Sequence, residues 1–348
     1  MISISNGEKC LMLSIGVIGC GHWGPNLARN FSMNPRTHLT YVCDSDSSKA
    51  ESLSHRLKGT PWVTDYCKIL AHDDTHAVAI ATPQQTHYQI VKEALEAGKH
   101  VFVEKPLTLN RQTSLELIGL AESLGLVLMV GYVFLFNNAV RFAKQIIHEG
   151  DLGDVYYVQG VRTNLGPIRT DTNCLWDLAS HDISIMLYWL EQKPLTVNAN
   201  GSRFLGNPFE DVALARICFE KGQCGFLHVS WLDPCKVRQI TVVGSKRMLL
   251  FDDMSPSEPI KIYDKGVTRE TFYDSYGSHR MSVRNGDIVI PPITAGEPLF
   301  NECEAFVEAV LDNRKNDAIG LIPLKVDSIL QAMDESLVGN GMLTEVKS

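Results

Sequence analysis

The sequence has no uninterrupted apolar run near the roughly 18 residues that a bilayer-spanning helix needs, so a transmembrane segment is excluded. It also lacks blocks of like charge. Its 32 Lys and Arg against 40 Asp and Glu leave a net charge of −8, and the basic residues form no stripe. Nucleic acid and an anionic membrane are therefore not expected partners. Paired metal-ligand spacing is missing among the nine cysteines (Cys10, Cys20, Cys43, Cys67, Cys174, Cys218, Cys224, Cys235 and Cys303). They are scattered, several inside apolar runs, and read as reduced thiols of a cytoplasmic protein with no metal site. Repeats and low-complexity tracts are absent too. What remains is 348 residues, 45% apolar and 21% charged, enough for a sizeable core and two domains.

Residues 11 to 20, Leu-Met-Leu-Ser-Ile-Gly-Val-Ile-Gly-Cys, imitate the apolar stretch before the cysteine of a lipoprotein signal. The ten residues before them hold one Lys and one Glu, so the positive n-region is missing. The same residues are better explained as the opening of a nucleotide-binding unit.

Residues 1–11 read as a loose tail. Leu13 to Gly19 is a short apolar run ending in glycine, the pattern of a strand buried on both faces. Similar runs follow at Thr40 to Cys43, Ala77 to Ala81, His100 to Glu104 and Leu126 to Val130. Between them stand helical spacings: Leu27, Ala28 and Phe31; then Ile90, Val91, Ala94 and Leu95, opened by Thr86 and stopped by Gly98; then Leu115, Ile118 and Ala121 after Asn110. This alternation calls for a doubly wound parallel sheet over residues 1–131.

After that the grammar changes to an α+β domain over residues 132–348. Helices are expected at Asn138 to His148 and Trp176 to Leu190. Strands at Val155 to Val161, Val212 to Phe219, Cys224 to Trp231 and Val237 to Val243 are separated by turns, as in antiparallel hairpins. Two amphipathic helices close the chain, one through Leu299, Cys303, Phe306 and Val310, the other through Val326, Ile329, Leu330, Met333 and Leu337.

Directly after the first strand stands Gly19-Cys20-Gly21-His22-Trp23-Gly24, a G-x-G-x-x-G followed by Pro25 at the first helical position. Its glycines allow a tight turn and close approach to a pyrophosphate, whose charge meets the helix N-terminus. Asp44 ends the second strand 20 residues beyond Gly24, where a carboxylate accepts from both ribose hydroxyls. It also repels a 2′-phosphate, and Ser45-Asp46-Ser47-Ser48 holds no cation, which favours NAD over NADP. The competing reading makes the glycines a plain turn and Asp44 a helix cap.

Glu104-Lys105-Pro106 closes a strand at the carboxyl edge of the sheet, where ligands of open α/β folds bind. Pro106 holds Lys105 out of helical conformation. A lysine beside a cationic nicotinamide loses its proton more readily, which suits proton exchange near neutral pH. The alternative is a solvated lysine ending a strand. Asp177 and His181, four apart in Trp176-Asp177-Leu178-Ala179-Ser180-His181-Asp182, share a helix face and together can bind a hydroxyl and manage its proton; alternatively Asp177 caps the helix and His181 is a surface residue. Asp182 points about 100° away around that helix. Arg162, Asn164, Arg169 and Asn173 precede the helix, and Tyr132 and Asn137 follow the last strand of the first domain. All six are candidate substrate contacts, with Arg169 suited to a phosphate or carboxylate, and each is equally readable as a polar loop residue.

These motifs in this order, with Ala81-Thr82-Pro83, His87 and the run Ala97 to Leu107, resemble the Gfo/Idh/MocA family of NAD(P)-dependent oxidoreductases over nearly the whole chain. The resemblance implies that Lys105, Asp177 and His181 form the catalytic group, Lys105 and His181 moving the proton and Asp177 supporting the lysine. It also implies that Thr82, Pro83 and His87 line the cofactor. Gly21 to Asn26 and His228-Val229-Ser230-Trp231-Leu232-Asp233-Pro234 resemble a branch acting on sugars and nucleotide sugars, including UDP-sugar 3-dehydrogenases. That branch commonly carries Pro where Asn138 stands and His where Tyr132 stands. The resemblance further implies a homodimer or homotetramer. An NAD-dependent glycosidase of the same fold and a non-catalytic NAD-binding sensor are the rival readings; retention of Lys105, Asp177 and His181 speaks against the sensor.

Overall fold

The computed structural model describes residues 12–271, 279–313 and 321–347; the tail expected over 1–11, with Cys10, lies outside them. The chain forms two compact units. One holds the residues up to Val133 and takes back Glu297–Pro323; the other holds Phe134–Gly296 and the residues from Leu324. The first of the two closing helices therefore packs in the first unit, which corrects the expectation that everything after residue 131 belongs to the second.

The first unit runs β1 (Leu13–Ile18), α1 (Gly24–Met33), β2 (Thr37–Cys43), α2 (Ser47–Arg56), β3 (Trp62–Val63), α3 (Cys67–Leu70), β4 (Ala77–Ile80), α4 (His87–Glu96), β5 (His100–Glu104), α5 (Arg111–Leu124) and β6 (Leu128–Gly131). Its six strands are parallel in the order β3-β2-β1-β4-β5-β6. The order reverses between β1 and β4, the place where such sheets open a ligand crevice at their carboxyl ends. Ile15, Val17, all of β4 and Val101 to Val103 are fully buried, as strands covered on both faces must be.

Leu27, Ala28 and Phe31 of α1 and Ile90, Val91, Ala94 and Leu95 of α4 face the core as their spacing predicts. In α5 the buried stripe is Ser114, Leu117 and Ala121, not Leu115 and Ile118. The inner position goes to Ser114, whose hydroxyl pairs with that of Thr108 at 2.8 Å. The residues between β2 and β4, where no element was foreseen, fold as α2, β3 and α3.

The second unit contains α6 (Asn138–His148), β7 (Val155–Leu165), α7 (Ser180–Leu190), β8 (Pro194–Ser202), β9 (Val212–Phe219), β10 (Cys224–Ser230), β11 (Leu232–Gly244), β12 (Met248–Asp252), β13 (Ile260–Thr271) and β14 (His279–Val289). After α8 (Pro298–Leu311) of the first unit come α9 (Leu321–Val338) and β15 (Thr344–Glu345). Nine strands form one sheet in the order β14-β13-β12-β11-β7-β10-β9-β8-β15. Every neighbouring pair is antiparallel except β7 and β10, which run parallel, so the sheet is large and mostly antiparallel as the strand and turn pattern led one to expect. Along β9 the residues alternate between core (Ala213, Ala215, Ile217) and the outer face, where Leu214 is exposed, and Phe226 of β10 is exposed beside it. Before α7 the backbone makes one wide π-helical turn over Leu175–Ala179. Among the described residues no helix is long and apolar enough to cross a membrane, and no group of His, Cys, Asp and Glu could hold a metal ion.

Candidate active site

At the carboxyl edge of the first sheet, β1 ends in a turn that only glycine permits. Gly19 has φ +97°, and a Cβ there would lie 2.6 Å from the Ala81 carbonyl; a Cβ on Gly24 would lie 1.7 Å from the Gly19 oxygen. The two glycines let α1 start directly over the strand. On Gly21 a Cβ would meet nothing within 4 Å, so the loop faces open space at its middle glycine. No side chain caps α1, and Pro25 occupies its first turn, so its N-terminus is left to an incoming anion. His22 and Trp23 are exposed and pack edge to face at 5.7 Å.

Asp44 stands just past β2. Its Oδ2 accepts from the Cys20 N–H at 2.7 Å and its Oδ1 from the Asp46 N–H at 2.9 Å. The carboxylate is thus fixed at the loop, and each oxygen keeps a lone pair for a ribose hydroxyl. The cap of α2 is Asp46, which accepts from the Ser48 N–H at 3.0 Å, so the reading of Asp44 as helix cap is overturned. The residues fit a dinucleotide: a glycine turn open at Gly21, an uncapped helix and a fixed carboxylate.

Thr82 and Pro83 follow β4, the Thr82 hydroxyl accepting from that of Thr86 at 2.8 Å. His87, buried at the start of α4, ties this loop to the turn after β5: Nε2 lies 3.0 Å from the Thr82 carbonyl and Nδ1 2.8 Å from that of Pro106. Burial pushes its pKa down, which favours the neutral ring, and a neutral imidazole donates to only one of the two. Lys105 is half-buried at the end of β5 and is joined to Pro106 by a cis peptide bond. Glu104 beside it is half-buried as a residue, yet enough protein surrounds its carboxyl that burial pushes it up to about 7, against the pull of Lys105. Tyr132, after β6, has a fully buried ring.

The second unit carries Asp177 and His181. Asp177 lies in the π-helical turn, where its Oδ2 accepts from the Trp231 Nε1–H at 3.1 Å and its Oδ1 lies 3.6 Å from Arg169 Nη1. Such turns are frequent at functional sites. Two bonds hold the turn from behind: Asn173 Nδ2 donates to Asp334 Oδ1 at 2.8 Å and Trp176 Nε1 to Asp334 Oδ2 at 2.6 Å. Asn173 also accepts from the Trp176 N–H at 3.1 Å. His181 stands edge to face with Phe134 at 5.1 Å.

Arg162 requires a correction. It lies in β7 and is buried, with Nε 3.0 Å and Nη2 2.6 Å from Asp182 Oδ1, and its guanidinium covers the Phe134 ring at 4.7 Å. Both its charge and its surface are used inside the unit. Asn164 also lies in β7 and donates to the Gly166 carbonyl. Arg169 grips Asp171 through two bonds, 3.0 and 2.7 Å. Asn137 caps α6, accepting from the Ala139 N–H at 2.8 Å. Trp231 and Asp334 were not singled out as site residues. Trp231 was visible only as part of a motif, and Asp334 carries no local signal because its partners lie far back in the chain.

A family model described as "Oxidoreductase family, NAD-binding Rossmann fold" matches residues 13–132, and one described as "GFO/IDH/MocA C-terminal domain" matches residues 140–250. The chain is 31% identical over 237 residues to a scyllo-inositol 2-dehydrogenase (NAD(+)) of Bacillus subtilis, covering 65% of this chain and 68% of the relative. It is 27% identical over 253 residues to a UDP-N-acetylglucosamine 3-dehydrogenase of Acidithiobacillus ferrooxidans, covering 72% and 77%. The solved structure of scyllo-inositol dehydrogenase from Lactobacillus casei with bound NAD(H) and scyllo-inositol superimposes with a TM-score of 0.78 at 20% identity, covering 97% of this chain and all of that one, a likeness of fold. These relatives are dehydrogenases, which leaves the glycosidase and sensor readings without support.

Proposed function

We propose a function from one premise: this chain belongs to the Gfo/Idh/MocA family of oxidoreductases and carries its NAD-binding Rossmann fold. It transfers hydride between NAD and a secondary alcohol or ketone on a ring polyol, sugar or nucleotide sugar, UDP-sugars included. The observation that carries this reading is the alignment of Asp44 and Lys105 along one sheet edge. The order β2-β1-β4-β5 puts the ribose carboxylate, the glycine turn, the Thr82 loop and Lys105 side by side. At about 4.8 Å per strand the row spans roughly 14 Å, suited to an extended dinucleotide whose nicotinamide end falls at β4 and β5.

Bound NAD supplies the carbon that accepts or returns the hydride. The chain's own part is the proton. Lys105 or His181 takes it from the substrate hydroxyl during oxidation and returns it in reduction, with Asp177 as the supporting carboxylate. Trp231 and Arg169 fix both oxygens of Asp177 so that its orientation is set before substrate arrives. Arg169 is also the cation to which an anionic group on the substrate would turn. The relatives' named activities, at carbon 2 of an inositol and carbon 3 of a UDP-sugar, support the substrate class.

The test is a screen of UDP-sugars, free sugars and inositols with NAD, followed at the absorbance of the reduced nicotinamide. Turnover is expected in at least one class, and silence in all three overturns the substrate assignment. Lys105→Ala is expected to lower kcat by roughly 100-fold or more with only a modest change in NAD affinity. Unchanged turnover defeats the lysine's role.

We assign the outer face of the second sheet, with exposed Leu214 and Phe226, to a second copy of the chain. A monomer in gel filtration refutes that. The described cysteines are all free thiols, in keeping with a reducing cytoplasm.

A further inference from the structure

One carboxylate in the second unit has no part in the chemistry above. Asp334 stands on α9, whose Leu330 and Met333 are fully buried. Just beyond it the helix is tied down: Ser336 Oγ accepts from the Ala199 N–H of β8 at 2.9 Å and donates to the Met342 carbonyl at 2.6 Å. Asp334 is therefore a firm support. Its two oxygens take one donor each, Oδ1 from Asn173 Nδ2 at 2.8 Å and Oδ2 from Trp176 Nε1 at 2.6 Å. Both donors are buried side chains, and both stand at the start of the π-helical turn that carries Asp177.

A π-helical turn departs from the regular bonding of each N–H to the carbonyl four residues back, and the Cys174 side chain does not cap this one. Asn173 supplies the ties at its start. Its Oδ1 accepts from the Trp176 N–H at 3.1 Å, and its backbone carbonyl accepts from the Asp177 N–H at 3.3 Å. An amide can turn either end to a neighbour, and its partners decide which. A carboxylate only accepts, so Asp334 draws the nitrogen of Asn173 to itself and leaves the oxygen for Trp176. The backbone at Asp177 is thus held from one side, while Trp231 Nε1 donates to Asp177 Oδ2 at 3.1 Å from the other.

We propose that Asp334 is a positioning residue: by orienting Asn173 and Trp176 it sets where the Asp177 carboxylate stands before substrate arrives. Asn173 is the link through which it acts. A carboxylate on a wide turn without such a support would have to be ordered during each reaction, and small displacements of reacting groups are costly. The proposal deepens the function above and rests on Asp177 being the carboxylate that supports proton transfer.

The experiment uses the full chain, isotopically labelled at the indole nitrogens of its five tryptophans, and begins with NMR, which needs no substrate. Asp334→Asn puts a donor where one of the two acceptors stood, so it cannot keep both bonds. It is expected to move the indole peak of Trp176, its direct partner, and also that of Trp231, whose partner is Asp177. The peaks of Trp62 and Trp189 are expected to stay, as reporters of an intact fold. A Trp231 peak that does not move overturns the proposal, as does an unmoved Trp176 peak. Where Asp334→Asn does not fold, Asn173→Ala, which removes the amide that Asp334 orients, decides by the Trp231 peak, and an unmoved peak overturns it. With substrate in hand, Asp334→Asn is expected to lower kcat by roughly ten- to 100-fold at unaltered KM for NAD. Added to Asp177→Asn it is expected to lower kcat no further, because its effect passes through that carboxylate. An unchanged kcat, or an equal loss in both backgrounds, overturns the positioning role. Should Asp177→Asn leave turnover intact while the indole shifts stand, the support of the turn is established and the reading of Asp177 falls instead.

Discussion

In the first unit, the residues assigned to the cofactor, except His87 at the start of α4, stand at a strand's carboxyl end or in the turn directly after it. Gly19, Asp44, Thr82 and Lys105 follow β1, β2, β4 and β5 in turn. In the second unit, the residues around Asp177 are held by partners from distant parts of the chain. Trp231 is 54 residues from Asp177, and Asp334 is 161 residues from Asn173. A parallel sheet lines up its loops at one edge by topology alone. A mixed sheet has no such edge, so side chains must fix the geometry one bond at a time.

The comparison breaks most visibly where the second unit relies on a buried charge pair. Arg162→Met leaves the Asp182 carboxylate buried and unpaired, and is expected to destabilise the protein by about 3 to 5 kcal/mol. Arg162→Met with Asp182→Leu is expected to recover most of that loss. Urea unfolding midpoints check both; a double variant as unstable as the single would mean that packing rather than charge sets the cost.

In the first unit an electrostatic effect on stability is expected at Glu104. Its carboxyl is raised from the usual 4.5 to about 7, so the folded protein holds this proton more tightly than the unfolded chain. The stabilisation is complete below about pH 4.5 and is lost as pH rises towards 7, at no more than about 1.4 kcal/mol per pH unit. Glu104→Gln is expected to flatten that stretch of the stability curve, and an unaltered slope would place the titrating group elsewhere.

The same contrast explains what could be read in advance. The glycine turn, Asp44 and Lys105 were legible because motif and geometry there are both local. Arg162 was misplaced because β7 continues four residues past Val161, where the apolar alternation stops. Asp182 was seen to point away from His181, but nothing near it in sequence names Arg162 as its partner. β8 was missed because Asn198, Asn200, Gly201 and Ser202 read as loop; pairing with β9 overrides that composition. Asp334 looked like one polar position on an amphipathic helix, and its role exists only once Asn173 and Trp176 are folded against it.

A smaller effect separates orientation from binding in the second unit. Trp231→Phe keeps the buried ring but removes the donor to Asp177 Oδ2. It is expected to lower kcat about tenfold, some 1.4 kcal/mol, without altering NAD affinity. An unchanged rate would make Trp231 a packing residue alone.

The smallest expected effect asks whether a residue beside the site belongs to it. Asn137 follows the first unit's last strand and caps α6, as Asn110 caps α5 by accepting from the Gln112 N–H at 2.8 Å. If capping is its whole role, Asn137→Ala and Asn110→Ala should each cost about 1 kcal/mol of stability. Neither should then shift KM for substrate by more than its experimental error. A rise in KM confined to Asn137→Ala would show that one amide serves both helix and substrate, and that even in the second unit a local element can supply a contact.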